Sequence, residues 1–183
     1  ADGAALDEVR ATLDAAGYAY SVGTPVEAAE RRVLGLIKLE DPSGNPTEIF
    51  YAPLIDAHLP FHPGRRMHGR FVTGSEGLGH ALIHSDDSTA SQRFYAMIGM
   101  EGSIQYHLQS PAGTVQPTFM NCNDRQHSLA FGVNGDKRIN HLMLEYAELN
   151  DLGMAHDLVR GRGIDVALQL GKHANDEALT FYF

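Results

Sequence analysis

Three histidines stand in comparable settings along this chain. His80 lies in Gly-Leu-Gly-His-Ala-Leu-Ile, and His141 in Arg-Ile-Asn-His-Leu-Met-Leu-Glu. His173 lies in Gly-Lys-His-Ala-Asn-Asp, ahead of Phe181-Tyr182-Phe183. Each stretch reads as a strand. Neutral imidazole is the commonest transition-metal ligand, and rings fixed on strands can converge on one point. One such histidine alone is more often an ordinary buried or surface residue; the ordered set points to metal chemistry. His58, His62, His68, His84, His107 and His156 lack matching flanks and read as solvated or hydrogen-bonded histidines. Cys122 is the single cysteine, which excludes an intrachain disulfide and a cysteine-rich metal site. It fits a reducing cytoplasm and reads as a buried free thiol. Any metal must then be held by His, Asp, Glu or Tyr.

These residues need a frame. Ala5–Ala16 carries Leu6, Val9 and Leu13 at helical spacing and stops at Gly17. Tyr18–Val22 alternates like a strand. Val33–Leu39, the turn Asp41-Pro-Ser-Gly-Asn45 and Thr47–Tyr51 read as a hairpin. Leu54–Arg70, rich in Pro, Gly and His, reads as a loop. Leu78–Ile83 is then a strand, and Ser88–Ile98 a helix capped by Ser88 and closed by Gly99. Strands follow at Ser103–Gln109, Val115–Asn121, Ser128–Val133 and Asn140–Glu145. Leu149–Arg160 reads as a helix ending at Gly161, with strands at Ile164–Gln169 and Leu179–Phe183.

The order strand, helix, three strands thus occurs once in full and begins again. The opening segment shows the same order without its first strand, and Gly17-Tyr-Ala-Tyr lines up with Gly163-Ile-Asp-Val. A chain that starts inside one module and stops inside another is expected to be an internal piece of a longer protein. The 183 residues are 43% hydrophobic and 20% charged, with a formal net charge of -9. That is a globular composition, and its acidity argues against nucleic acid or an anionic membrane as the main partner. No apolar run reaches membrane-spanning length and no signal peptide is visible.

Several stretches together resemble the type I extradiol dioxygenases, ring-cleaving members of the vicinal-oxygen-chelate superfamily. They are Gly79-His80, Phe94-Tyr95 with Ile98-Gly-Met100, Phe119-Met-Asn-Cys-Asn-Asp-Arg-Gln-His-Ser128, His141-Leu-Met-Leu-Glu145, and Gly171-Lys-His-Ala-Asn-Asp176 through Tyr182. Arg31–Leu36 and Asp41–Asn45 extend the resemblance over essentially the whole chain. Gly64–Gly74 and His141–Tyr146 are most similar to members acting on bicyclic catechols such as dihydroxynaphthalene or dihydroxybiphenyl.

The resemblance implies an α+β fold of repeated β-α-β-β-β modules in paired open barrels. Residues 1–73 would be the last part of a non-catalytic barrel plus a linker. Residues 74–183 would be the catalytic barrel without its last strand. It implies Fe(II), with Mn(II) as the alternative, O2 as co-substrate, a small aromatic catechol as partner, and a homo-oligomer. His80 and His141 would be the metal histidines; the third ligand, a Glu, falls beyond Phe183. Glu48, in Gly44-Asn-Pro-Thr-Glu48, matches that context in the earlier module and reads as structural. Glu145 reads as a packing or outer-shell residue. His127 would be the acid-base group. His173 and Tyr182 would contact the substrate hydroxyl and relay protons, with Asn175 and Asp176 orienting His173 and the substrate. Phe119, Phe131 and Met143 read as barrel packing, some also lining the site. Without its carboxylate the chain alone is expected to hold little iron and cleave no ring. Its open edge predicts disorder near Phe183 or pairing with another chain. The same fold serves glyoxalase-like isomerases or epimerases and non-catalytic binding proteins. Those isomerases supply more carboxylates, and neither alternative calls for the set His127, His173 and Tyr182.

Overall fold

The structure is a computed structural model that describes residues 2–56, 58, 61, 63–111, 113–133 and 138–183. His62 lies outside the described residues. Helix α1 (Gly3–Ala16) starts at Asp2, whose carboxylate accepts the Ala5 amide, and stops at Gly17 with φ 72°. Strand β1 (Tyr20–Val22) pairs with β2 (Val33–Glu40), which forms the expected hairpin with β3 (Pro46–Pro53). Between β1 and β2 lies a short helix, α2 (Pro25–Glu30), opened by a Thr24–Glu27 capping box and Pro25.

The second sheet has the order β10-β4-β9-β8-β5. Its strands are β4 (Gly79–Ile83), β5 (Glu101–Gln105), β8 (Thr118–Asn121), β9 (Leu129–Phe131) and β10 (Ile139–Leu144). β6 (Leu108–Ser110) and β7 (Gly113–Val115) form a side hairpin, so the strands expected at Ser103–Gln109 and Val115–Asn121 are each interrupted. Helix α3 (Ser88–Met97) follows β4. Its cap is Asp87, not Ser88: the Asp87 carboxylate accepts the Thr89 and Ala90 amides. Helix α4 (Leu149–Gly161) leads to β11 (Leu168–Lys172), which pairs with β12 (Leu179–Tyr182). β11 starts four residues later than the sequence suggested. β12 is paired along β11, and Phe183 stacks on Phe181.

One apolar cluster ties the two larger sheets together. Leu6 and Leu13 of α1 and Ile37 and Leu39 of β2 pack with Phe94, Tyr95, Met120 and Phe131. Burial of this set is the main stabilising contribution that the chain can supply. Polar contacts reinforce it. Asp41 is buried and accepts from the amides of Ser43 and Asn45 and from the Asn45 side chain. The same Asn45 amide donates to His84 O, and Arg138 donates to Gly44 O. The Asp41–Asn45 turn therefore grips the end of β4 and the start of β10 at once. Among the described residues no helix is long and apolar enough to cross a membrane.

Candidate metal centre

β4 and β10 are the first strands of successive modules, and they pair antiparallel at the centre of the site. Gly79 lies opposite Leu144. A Cβ at Gly79 would stand 1.7 Å from Met143 O, so only glycine admits this close approach. The next residue, His80, is buried, and His141 is half-buried. Their Nε2 atoms are 3.3 Å apart and their ring centroids 5.4 Å. Two ligands about 2.1 Å from a shared ion, at an angle a little over 100°, are separated by roughly this distance. The donor pair therefore fits two positions of a metal site. Among the described residues no group of three His, Cys, Asp or Glu side chains is arranged to hold one ion. Glu145 is not near that role, because it is paired with the buried Arg125. Glu48 is paired with Arg31.

The other expected residues gather round the pair. The His127 ring lies 4.2 Å from that of His80, with Phe119 edge-on at 4.8 Å. The Tyr182 ring meets His141 edge-on at 5.1 Å, and its hydroxyl shares a 3.2 Å hydrogen bond with His173 Nε2. His173 follows β11 rather than lying within a strand, and its amide is held by Ala178 O. Asp176 sits between His127 and His173, 3.9 Å from Nδ1 of the first and 3.6 Å from Nδ1 of the second. Asn175 lines an inner cavity of about 230 Å³ with His80, His127, His141, His173 and Tyr182. A larger cleft of about 780 Å³ opens beyond it, walled in part by Met143, Leu144 and Leu152. Phe131 is core, whereas Phe119 and Met143 line these spaces.

Burial sets the protonation of the cluster. It pushes His80 down to about 3, aided by the neighbouring His127 and His141. It also lowers His127, against the opposing pull of Asp176, and lowers His141, where His173 adds to the effect. Tyr182 is raised by burial and by Asp176. The result is a set of neutral imidazoles, competent as ligands or bases, around one carboxylate.

Two site residues had no sequence signal of their own. Gln126 Oε1 accepts from His127 Nδ1 at 2.5 Å. Arg125, buried, donates to Glu76 O and Val72 O as well as to Glu145. Both lie in the Phe119–Ser128 motif, yet their partners are distant or adjacent in ways that a motif does not show. Two readings need correction. Cys122 is exposed, because β8 ends at Asn121 and the chain turns outward there. His156 is largely withdrawn from solvent and only partly satisfied: its ring packs edge-on against Phe181, Nδ1 lies 3.8 Å from the Asp157 carboxylate, and Nε2 is buried without a hydrogen-bond partner among the described residues.

Residues 77–183 match the Glyoxalase/Bleomycin resistance protein/Dioxygenase superfamily, and the chain belongs to that family. It is similar to a biphenyl-2,3-diol 1,2-dioxygenase of Sphingomonas paucimobilis, 62% identical over 100% of this chain and 62% of that protein. A 1,2-dihydroxynaphthalene dioxygenase of Sphingobium xenophagum is 64% identical over 93% of this chain and 58% of its own length. A crystal structure of a catechol 2,3-dioxygenase superposes with a TM-score of 0.95 at 58% identity, covering 99% of this chain and 64% of that one. The chain thus spans about three fifths of the length of these relatives. The α+β vicinal-oxygen-chelate fold is the one expected, and among the described residues its sheets stay open.

Proposed function

We propose that this chain carries most of the active site of an extradiol dioxygenase that opens a catechol, bicyclic by preference, with both atoms of O2. The carrying observation is the 3.3 Å approach of His80 and His141 beside His127, His173 and Tyr182 on one cavity. The relatives named for biphenyl-diol and dihydroxynaphthalene cleavage support the substrate class. His80 and His141 would hold Fe(II), or Mn(II), with a Glu expected beyond Phe183 as third ligand; residues 74–183 then form the catalytic unit. When bound, the metal supplies an electron path between catecholate and O2.

The chain's own groups do the rest. His127 has its Nδ1 engaged by Gln126, which leaves Nε2 to take the second phenolic proton and return it when the O–O bond breaks. Asp176, between His127 and His173, steadies the charge that His127 gains. His173 and Tyr182 hold the substrate hydroxyl, and Asn175 flanks it. Leu82, Phe119 and Ala130 shield the ring from water. The single cysteine fits a cytoplasmic enzyme, the relatives named for biphenyl-diol and dihydroxynaphthalene cleavage support a place in aromatic catabolism, and the resemblance implies a homo-oligomer.

The test is ring cleavage by a chain extended to the relatives' length, loaded anaerobically with Fe(II) and given O2 with one-ring and two-ring catechols. Formation of the yellow ring-opened product, abolished by His80→Ala, is expected. Absence of product from the extended, iron-loaded protein with every catechol would remove the reading.

A further inference from the structure

The pairing of β10 with β4 slips by one residue next to His141. Ile139 lies opposite Ile83, and His141 opposite Leu82, so Asn140 is the extra residue of a bulge. In a regular strand, neighbouring side chains point to opposite faces. A bulge relaxes that rule and re-aims a side chain. Here the Asn140 Oδ1 reaches Nδ1 of the adjacent His141 at 3.0 Å.

That contact has a consequence for protons. An amide oxygen carries none, so His141 Nδ1 must be the N–H and His141 Nε2 the lone pair. The His80 and His141 Nε2 atoms, 3.3 Å apart, can share a hydrogen bond only if one donates. His141 cannot, so His80 Nε2 carries the hydrogen. His80 Nδ1 is then a bare lone pair, and it is the buried His80 atom that has no partner among the described residues. A lone pair there leaves no donor unpaired, whereas an N–H would. The Asn140 contact sets the His141 tautomer, and the other two contacts are compatible with it.

We infer that Asn140, through this bulge, is a positioning residue that fixes His141 as the Nδ1–H tautomer with Nε2 free for a cation, while His80 rests in the opposite tautomer. The consequence for metal binding rests on the function proposed above; the tautomer assignment does not. His141 is a preset ligand. His80 must move its proton to Nδ1, which has no acceptor among the described residues. The two histidines are therefore unequal partners in a site whose sequence flanks look alike.

The experiment is long-range proton–nitrogen correlation NMR on the metal-free 183-residue chain labelled with ¹⁵N-histidine, at a pH where the rings are neutral. Wild-type chain should show protonated Nδ1 at His141 and protonated Nε2 at His80. Asn140→Ala should release His141 to a mixture, and Asn140→Asp, which keeps an acceptor, should restore Nδ1–H. Titration with Co(II) should show about a 10-fold weaker site in Asn140→Ala, as loss of an outer-shell partner does, and recovery in Asn140→Asp. A wild-type His141 protonated at Nε2, or an unchanged tautomer in Asn140→Ala, overturns the inference. His141 held as Nδ1–H in a chain that binds no Co(II) upholds the inference and counts against the metal reading instead.

Discussion

Tyr95 donates its hydroxyl to Asp41 Oδ2 at 2.9 Å, joining α3 to a turn 54 residues earlier. Burial and the adjacent Asp41 both raise the Tyr95 hydroxyl pKa, so it remains a donor throughout the working range. Asp41 accepts four hydrogen bonds and is 4% exposed. Asp41→Ala strands all four donors and should cost about 3 kcal/mol; Tyr95→Phe removes one and should cost about 1–2 kcal/mol. Urea unfolding of the two variants measures both, and equal losses would contradict the ranking.

Gly79→Ala places a methyl group against the Met143 carbonyl. Either β4 or β10 must shift, at a cost of about 3 kcal/mol. The shift acts on the strand pair that sets the distance between His80 and His141. Cobalt binding should weaken by more than the loss of stability alone explains, read by titration well below the unfolding midpoint.

Stability should fall on acidification. His80 is held down to about 3, against an ordinary value of 6.5. A depressed histidine binds fewer protons folded than unfolded, so stability is full above about pH 6.5 and is lost as pH falls towards 3. The groups facing His80 are His127, His141, Asp176 and Arg125. His80 alone should account for on the order of 2 kcal/mol between pH 6.5 and 5. A His80→Asn variant should show a flatter urea midpoint across that interval.

In the iron-loaded chain extended to the relatives' length, His127→Ala should lower kcat by about 10²-fold or more with little change in KM. Gln126→Ala should give a smaller loss in the same parameter, because it releases the ring without removing it. Unchanged kcat across pH in His127→Ala would take this residue out of the chemistry.

Much of this frame was legible locally. Leu6, Val9 and Leu13 repeat at helical spacing, Asp41–Asn45 has turn chemistry, and His80 and His141 hold matching places on first strands, which their pairing brings face to face. Short or shared signals misled. Asp87 and Ser88 are both capping residues, and the structure uses the first. Thr24-Pro-x-Glu27 announces a helix of only six residues, too short to leave a periodicity. The contacts that fix proton positions were out of reach. The bulge at Asn140 is a property of two strands together, and the bond from Tyr95 to Asp41 joins residues with no local relation.

The cluster joining Leu13 and Ile37 to Phe94 and Phe131 makes the two halves of this chain one cooperative unit. Arg66 is exposed in the connection between them. A protease that cuts there severs the backbone but leaves that shared interior intact. The nicked pieces should stay associated and melt in a single transition. Connectivity through residues 54–70 thus matters less to the site than the side chains that meet across it.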